Sequence, residues 1–222
     1  MVHLFPHWNW KNASSPALVN GTIDLWAFSS GESVELFVNN RSLGRQPSNN
    51  FSHAEWPAVK YEPGFIEAMA YDANGNKVAQ HYIETTGEPT ALRVSIKDNV
   101  GATGLHAGCG DVALVQVEVV DAQGRIVPTA NDVVTFSIQA ANDNVLDYIG
   151  GGNGNPSEHT PDKSLSRPAF GGLVLGIFQE NGGTGSVKVV ATSPGLKSDS
   201  IALDIHSDHS EGDWLCPKYT AL

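Results

Sequence analysis

The segment VQVEVVDAQGRIV, residues 115–127, carries the pattern that decides the fold. Apolar and polar residues alternate up to Val119, and the sequence DAQG at residues 121–124 then leads into a second apolar run. Alternation with a period of two is typical of a strand that buries one face and exposes the other. Asp followed closely by Gly marks a tight reversal of the chain. The segment therefore predicts a strand, a hairpin turn and a returning strand.

The same alternation recurs along the chain. Further strand-like runs lie at residues 23–28, 33–38, 92–97, 134–138, 187–189 and 201–205. The sequence YDANGNKV at residues 71–78 repeats the context of the first turn. We find no amphipathic pattern of helical period. The chain is therefore predicted to be all-β, with antiparallel strands that each bury one face.

A polar segment with Gly and Pro, TTGEPT at residues 85–90, separates two groups of strands. Such a composition is typical of a boundary between domains. We therefore predict one domain over residues 1–88 and a second over residues 89–206. The periodicity is lost after this point, so residues 207–222 are predicted to form a flexible tail.

Composition excludes some classes of partner. The 222 residues include 13 Lys and Arg against 24 Asp and Glu, which gives a net charge of −11. Duplex nucleic acid and anionic membranes both bind clustered basic residues, so neither is expected as a partner. No run approaches the about 20 apolar residues of a membrane-spanning helix. The first residues lack the basic start and apolar run of a signal peptide, and the sequence assigns no compartment.

The aromatic segment His7-Trp8-Asn9-Trp10 is the main candidate site. On a strand, Trp8 and Trp10 would share one side. Indole rings can stack on the apolar faces of sugar rings, and His7 or Asn9 could bind hydroxyl groups. The four residues are therefore a candidate carbohydrate-binding set. The alternative is that both tryptophans pack in a core or at a domain junction, because Trp is largely buried on average.

Other patterns assign no chemistry. The glycine-rich stretch at residues 149–156 lacks the Lys-Ser/Thr pair of a phosphate-binding loop, and we predict a long loop of a β-sandwich there. Carboxylates are plentiful, but none stands in a catalytic context, so no catalytic residue is assigned. His206 and His209, with Asp204 and Asp208, could bind a metal ion, but adventitious binding is the better interpretation beside a flexible tail. No metal and no cofactor are predicted.

Two further features leave alternatives open. Cys109 and Cys216 lie far apart in the sequence, so a disulfide between them is possible but unsupported. Triplets that fit N-glycosylation occur at Asn12, Asn20, Asn40 and Asn50. Such triplets are common by chance and matter only in a secreted eukaryotic protein.

The sequence HLFPHWNW at residues 3–10 resembles the segment that follows the catalytic barrel in many glycoside hydrolase family 2 β-galactosidases. The resemblance of the first half continues over residues 25–29, 34–39, 42–44, 61–64 and 68–71. The second half resembles the next C-terminal domain of the same enzymes over residues 110–113, 119–121, 152–156 and 167–170.

This resemblance implies two tandem immunoglobulin-like β-sandwich domains. It also implies that the acid/base and the nucleophile, both glutamates, lie on an upstream (β/α)₈ barrel, which needs about 250 residues by itself. The chain is too short to hold that barrel, so it is expected to be inactive alone. The expected function is a non-catalytic accessory segment of a β-galactosidase-like enzyme that hydrolyses O-glycosidic bonds in carbohydrate metabolism. It would buttress the barrel and shape its substrate groove, with the barrel and a β-galactoside as partners.

Two other functions stay open from the sequence. One is a free-standing carbohydrate-binding or adhesin-like tandem β-sandwich, and the other is an inert structural spacer. Exposed aromatic residues in a planar row favour the binding module, whereas buried tryptophans or a large apolar patch favour the accessory segment. The residues that discriminate are Trp8, Trp10, Trp26 and Trp56.

Overall fold

The computed structural model describes residues 1–10, 18–48, 52–97, 104–140 and 145–207. These residues form strands, turns and loops, and no helix capable of crossing a membrane occurs among them. The all-β prediction is confirmed. The predictions for Asn12, Asn50, Asp208, His209, Cys216 and the tail over residues 208–222 lie outside the described part of the chain.

The chain divides into two compact units, Met1–Thr86 and Gly87–Leu222. The described residues of each unit form two sheets and a hydrophobic core of their own. Because a sheet with one apolar face must bury that face against another layer, each unit is a β-sandwich.

The first unit has seven described strands, which are β1 (Val2–Phe5), β2 (Thr22–Ser29), β3 (Ser33–Val38), β4 (Arg41–Pro47), β5 (Ala54–Lys60), β6 (Phe65–Tyr71) and β7 (Lys77–Glu84). They form a three-stranded sheet in the order β1-β2-β5 and a four-stranded sheet in the order β4-β3-β6-β7. All neighbouring strands in these two sheets are antiparallel.

The core of the first unit follows from the period of two. In β3, Val34, Leu36 and Val38 are buried while the residues between them are partly exposed. Leu25 and Ala27 of β2 are buried on the opposing sheet. Burying a Val or Leu side chain stabilises the fold by about 1.5–3 kcal/mol, so this alternation supplies the main driving force for closing the sandwich.

The second unit has nine described strands, which are β8 (Ala91–Ile96), β9 (Leu105–His106), β10 (Val112–Val120), β11 (Val133–Ala140), β12 (Leu146–Gly152), β13 (Ser166–Pro168), β14 (Leu173–Glu180), β15 (Gly185–Thr192) and β16 (Asp199–His206). One sheet has the order β12-β14-β10-β8 and the other β13-β11-β15-β16-β9. The short β9 pairs with β16 in parallel, and the other described pairs are antiparallel.

The strand and turn predicted at residues 115–124 are both present. Val115, Val117 and Val119 are fully buried in β10, and the backbone N–H of Gly124 donates to the carbonyl oxygen of Asp121 at 2.9 Å. The predicted returning strand is reduced to a single bridge between Val120 and Ile126. The chain therefore leaves the sheet after the turn, and β11 joins the opposite sheet.

The prediction of a loop over all of residues 149–156 is wrong for its first half, because residues 149–152 belong to β12. The strand pairs with β14 through a register shift between Tyr148 and Gly150. A Cβ atom on Gly151 would lie 2.4 Å from the Tyr148 hydroxyl and 2.6 Å from the Leu175 carbonyl oxygen. The glycine thus allows close approach of backbone within a bulged strand, which is a common use of strand glycines.

Candidate functional site

The aromatic segment at residues 7–10 does not continue the first strand, contrary to prediction. β1 ends at Phe5, directly before Pro6, whose nitrogen has no hydrogen to donate to a neighbouring strand. The residues that follow are outside regular strand structure. Trp8 and Trp10 therefore do not share one side of a strand, and their surroundings differ.

Trp8 belongs to the core of the first unit. Its side chain is 0% exposed. The indole Nε1–H donates to the carbonyl oxygen of Glu62 at 2.9 Å, and the ring meets Tyr61 edge-on with centroids 4.9 Å apart. Because the N–H is satisfied and the faces are covered, Trp8 holds the segment against the sandwich.

Asn9 is also buried, and it ties the segment to the end of the first unit. Its Nδ2 group donates to the Thr86 hydroxyl at 3.0 Å, and the Thr85 hydroxyl donates to the carbonyl oxygen of Trp8 at 2.7 Å. These bonds join residues that are 77 positions apart in the sequence. The segment is therefore fixed at a defined place in the first unit.

His7 and Trp10 form a stacked pair at the surface of this segment. Their ring centroids are 4.2 Å apart, with planes inclined by 21°. The Trp10 Nε1–H donates to the carbonyl oxygen of His7 at 2.8 Å, and the Asn9 backbone N–H donates to His7 Nδ1 at 3.2 Å. Burial lowers the pKa of His7, which favours the neutral imidazole that accepts this bond. Both rings are half-buried, so the pair keeps a surface that a ligand can reach.

A second aromatic cluster covers the outer side of the sheet β1-β2-β5. We call it the aromatic face, and it consists of Phe5, Trp26, Phe28 and His53. Phe5 is 51% exposed and Phe28 is 43% exposed. The ring centroids of Phe5 and Trp26 are 6.0 Å apart, those of Trp26 and His53 are 4.6 Å apart, and those of Phe28 and His53 are 5.4 Å apart. The solvent side of this sheet thus carries contiguous rings.

Part of the aromatic face has a signal in the sequence. Trp26 and Phe28 stand at the positions of β2 that alternate with the buried Leu25 and Ala27, so alternation alone places them on the outer side. Phe5 comes beside them only through the antiparallel register that pairs it with Trp26. Sequence reasoning missed Phe5 and His53 because no local pattern gives strand pairing.

Of the four tryptophans that discriminate between the candidate functions, two are buried and two are half-buried. Trp8 and Trp56 are buried in the core of the first unit, and the Trp56 Nε1–H donates to the carbonyl oxygen of Gly44 at 3.3 Å. Trp10 and Trp26 are half-buried. They therefore do not form one exposed planar row.

Two buried carboxylates in the second unit, those of Asp121 and Glu180, accept hydrogen bonds from groups that stabilise their charged form. Burial alone would raise the pKa of Asp121, but hydrogen bonds from the Arg125 guanidinium and from backbone N–H groups lower it below its ordinary value. The pKa of Glu180 is also lowered. Burial alone would raise it, but hydrogen bonds from the backbone N–H groups of Gly108, Gly182 and Gly110 outweigh the effect of burial. A glycosidase general acid needs a raised pKa. These groups are therefore arranged to accept hydrogen bonds rather than to donate protons.

Of the candidate histidine–aspartate cluster, Asp204 and His206 lie in the described part of the chain. Within the described ranges, no group of three His, Cys, Asp or Glu residues has the spacing to hold a metal ion. His206 stands near His106, with ring centroids 6.1 Å apart, and His106 Nδ1 lies 3.1 Å from Asp111 Oδ2.

Each unit matches a protein family. The family described as "Glycoside hydrolase family 2 C-terminal domain 5" matches residues 92–202. A second family, described as a domain of unknown function (DUF4982), matches residues 20–79.

Curated relatives match over most of the chain. A beta-galactosidase of Bacteroides ovatus is 36% identical over 201 residues, which cover 89% of this chain and 21% of the relative. A beta-glucuronidase of Formosa agariphila is 32% identical over 204 residues, which cover 91% of this chain and 19% of the relative. The chain therefore spans about a fifth of the length of these relatives.

Solved structures show the same arrangement of strands. A beta-glycosidase from Bacteroides vulgatus superimposes with a TM-score of 0.76 at 25% identity, covering 91% of this chain and 24% of that one. A family 2 beta-glucuronidase gives a TM-score of 0.77 at 29% identity, covering 95% of this chain and 20% of that one. Together with the family match to residues 92–202, these likenesses place the chain among the C-terminal β-sandwich domains of glycosidases. The chain belongs to glycoside hydrolase family 2.

Proposed function

We propose that this chain is the non-catalytic C-terminal accessory segment of a β-galactosidase-like family 2 enzyme, and that its aromatic face docks on the catalytic barrel of that enzyme. The observation that carries the proposal is the cluster of Phe5, Trp26 and Phe28 on the solvent side of the sheet β1-β2-β5. The outer side of an antiparallel sheet normally carries polar residues.

Exposed contiguous rings favour an interface. Large apolar patches on a soluble domain mark sites of contact with another protein surface. Aromatic side chains are also enriched among the residues that contribute most binding energy at interfaces. Covering a ring such as Phe28 would contribute at most about 1.5–3 kcal/mol, and the aromatic face offers several such groups.

The opposite sheet of the same unit also carries rings on its outer side, and one of them is paired with charged groups. On the outer side of the sheet β4-β3-β6-β7, the Arg45 guanidinium lies 3.5 Å above the centre of the Tyr71 ring. The Tyr71 hydroxyl donates to Glu35 Oε2 at 3.2 Å, and Arg45 lies 3.6 Å from the same carboxylate. Charged groups of the unit itself therefore accompany this ring.

On the aromatic face, Trp26 also has a charged neighbour, because its Nε1–H donates to Glu55 Oε1 at 3.2 Å. The opposite sheet has one further ring pair, Phe65 and Tyr82, with centroids 4.9 Å apart. The larger set of contiguous rings therefore favours β1-β2-β5 as the docking side.

The proposal extends to the His7–Trp10 pair. β1 carries Phe5 at its last position, and the stacked pair begins two residues later. A barrel docked on the aromatic face would therefore lie close to the pair. In this proposal His7 and Trp10 contact a β-galactoside in the substrate groove, while Trp8 and Asn9 hold them in place from inside the unit.

The proposal is tested with a chimeric enzyme. This chain replaces the matching fifth of the Bacteroides ovatus beta-galactosidase. Hydrolysis of a nitrophenyl β-galactoside is then compared among the chimera, the relative that lacks this fifth and the chain alone. We expect turnover by the chimera, loss of activity or stability on truncation, and no turnover by the chain alone. A truncated enzyme as active and as stable as the chimera would contradict an accessory role.

Two variants of the chimera test the docking side. Phe28→Ser removes a ring from the aromatic face, and Val78→Ser removes an exposed apolar side chain from β7 of the opposite sheet. We expect Phe28→Ser to lower the melting temperature of the chimera more than it lowers that of the isolated chain. Val78→Ser should change both by the same small amount. If the two variants lower the melting temperature of the chimera equally, the aromatic face is not the docking side.

A further inference from the structure

The second unit has a recess at one end of its sandwich, which the proposed function does not use. Three connections meet there: the one between β10 and β11, the one between β12 and β13, and the short turn between β13 and β14. The recess has a volume of about 430 Å³, within the about 300–1,000 Å³ typical of small-molecule sites. The residues that line it are Pro128, Thr129, Ala130, Asn131, Asn153, Asn155, Pro168, Ala169, Phe170 and Gly171.

One wall of the recess is held by side-chain hydrogen bonds. Asn153 Nδ2 donates to the carbonyl oxygen of Pro168 at 2.9 Å, and Asn153 Oδ1 accepts from the backbone N–H of Asn155 at 2.9 Å. The Asn155 side-chain oxygen in turn accepts from the backbone N–H of Ser157 at 3.0 Å. The amide of Asn153 is thus used to build the wall.

A buried arginine fixes the loop behind this wall. The Arg167 guanidinium is almost fully buried and pairs with the Glu158 carboxylate. It also donates to the carbonyl oxygens of Thr160 and Pro161, at 3.1 and 3.0 Å. The loop between β12 and β13 is therefore anchored to the unit from inside, so the recess is largely preformed.

Phe170 is held at the recess by a two-residue turn. Its backbone N–H donates to the carbonyl oxygen of Leu173 at 2.9 Å, and the reverse bond is 3.1 Å. The two central residues, Gly171 and Gly172, have φ of 61° and 77°. Positive φ at both central positions of a two-residue turn is a conformation that glycine adopts easily. A Cβ atom on Gly172 would lie 2.5 Å from the carbonyl oxygen of Val127. The turn thus packs tightly against the β10–β11 connection and leaves the Phe170 ring 49% exposed.

Two amide groups at the recess remain available for a ligand. The exposed side chain of Asn131 and the Nδ2 group of Asn155 make no hydrogen bond to other described residues. An amide offers both donors and an acceptor, which suits hydroxyl groups that can do both. None of the ten described residues that line the recess carries a charged side chain. A ligand with a carboxylate or phosphate would therefore find no counter-charge in the lining.

We infer that this recess binds a neutral saccharide unit. The Phe170 ring provides an apolar face for the C–H face of a pyranose, and Asn131 and Asn155 bind its hydroxyl groups. This combination of one ring and a few placed polar groups is typical of small-molecule sites. The inference concerns the second unit alone and does not depend on how the first unit docks.

The test is a titration of the whole chain followed by ¹H–¹⁵N NMR. The probes are cellobiose and lactose, which are neutral, and methyl β-glucuronide, which carries a carboxylate. We expect saturable shifts with at least one neutral disaccharide, centred on residues 129–131, 153–155 and 169–171, and weaker binding of the glucuronide. The absence of saturable shifts with both disaccharides would overturn the inference. Equal or tighter binding of the glucuronide would overturn the assignment of a neutral ligand.

Variants locate the site. Phe170→Ala should weaken binding about tenfold, the order expected for loss of a stacking ring. Asn131→Ala should also weaken saccharide binding and should leave the NMR spectrum of residues outside the recess unchanged. This second variant keeps the test valid if Phe170→Ala perturbs the turn. Leu165→Ala removes an exposed apolar side chain of the same unit outside the recess and should bind as the unmodified chain does. Wild-type affinity in both recess variants would exclude the recess as the site.

Discussion

The backbone N–H of Leu4 donates to Nδ1 of His81 at 2.8 Å, across 77 residues of sequence. Leu4 lies in β1 and His81 in β7, so the bond joins the two sheets of the first unit. Because a protonated imidazole has no acceptor, the bond requires neutral His81.

This bond makes the stability of the first unit depend on pH. Burial, and secondarily the charge of His3, lowers the pKa of His81 below its ordinary value of 6.5. The folded state then binds fewer protons than the unfolded state as pH falls below this value, so stability is present above about pH 6.5 and is lost below it. We expect the urea midpoint to fall between pH 7.5 and pH 5.5.

Two variants separate this bond from general effects of pH. His81→Ala should cost about 0.5–1.5 kcal/mol at neutral pH through loss of the bond. His81→Asn supplies an acceptor that does not titrate, and its urea midpoint should fall less at low pH than that of the unmodified chain. An identical pH dependence in His81→Asn and the unmodified chain would show that another group is responsible.

Asp121 should stabilise the second unit through its charge. Its carboxylate accepts from Arg125 Nη2 at 2.7 Å and from the backbone N–H of Gly87 at 2.8 Å. We expect Asp121→Asn to lower the free energy of unfolding by about 1.5–3 kcal/mol at pH 7, as for other hydrogen bonds to charged groups. Urea denaturation followed by circular dichroism measures this loss.

The Asp121 carboxylate also makes the stability of the second unit depend on pH. Here protonation removes a charge that the folded state stabilises, whereas protonation of His81 creates a charge that the folded state disfavours. The pKa of Asp121 is lowered in the folded state, so its contribution is present above the ordinary value of 3.8 and is lost as pH falls below it. The difference in stability between the unmodified chain and Asp121→Asn should therefore shrink in acid. A difference that stays constant down to pH 2 would contradict the charged role.

Trp8 and Trp10 should differ strongly in their contribution to stability. Trp8→Ala empties a fully buried site and should cost about 3–5 kcal/mol. Trp10→Ala removes a half-buried ring and should cost clearly less, while it removes the ligand-accessible part of the pair. Equal losses measured by urea denaturation would contradict the separate roles given to the two residues.

Gly151 and Gly152 form a matched pair in β12. A Cβ atom at Gly151 meets the Leu175 carbonyl oxygen at 2.6 Å, whereas one at Gly152 meets nothing within 4 Å. Gly151→Ala should therefore destabilise the second unit by about 1–3 kcal/mol, as overpacking does, and Gly152→Ala should be close to neutral. Thermal unfolding of the two variants side by side tests the prediction.

The fold could be predicted where the determining pattern is local. Alternation gave the buried side of β10, with Val115 and Val117 inside, and also the outward side of β2, with Trp26. The segment around Trp8 was predicted wrongly because the four residues at positions 7–10 are too few to show a period. In so short a segment, an alternating pattern of residues does not distinguish a strand from an irregular loop.

The surfaces proposed to bind partners depend on contacts between distant residues. Phe5 lies beside Trp26 through strand register, and Asn131 and Phe170 line one recess because separate connections of the second unit meet there. Neither arrangement leaves a motif in the sequence, since register and loop packing are set by the whole sandwich. The resemblance to family 2 enzymes supplied the family but not these surfaces.

The central claim is that the aromatic face is covered in the complete enzyme. Oxidative footprinting with mass spectrometry measures the reactivity of exposed rings, here in the isolated chain and in the active chimera. We predict that Phe5, Trp26 and Phe28 lose reactivity in the chimera, while Tyr82 of the opposite sheet keeps it. Unchanged reactivity of the three rings, with the chimera fully active, would contradict the account.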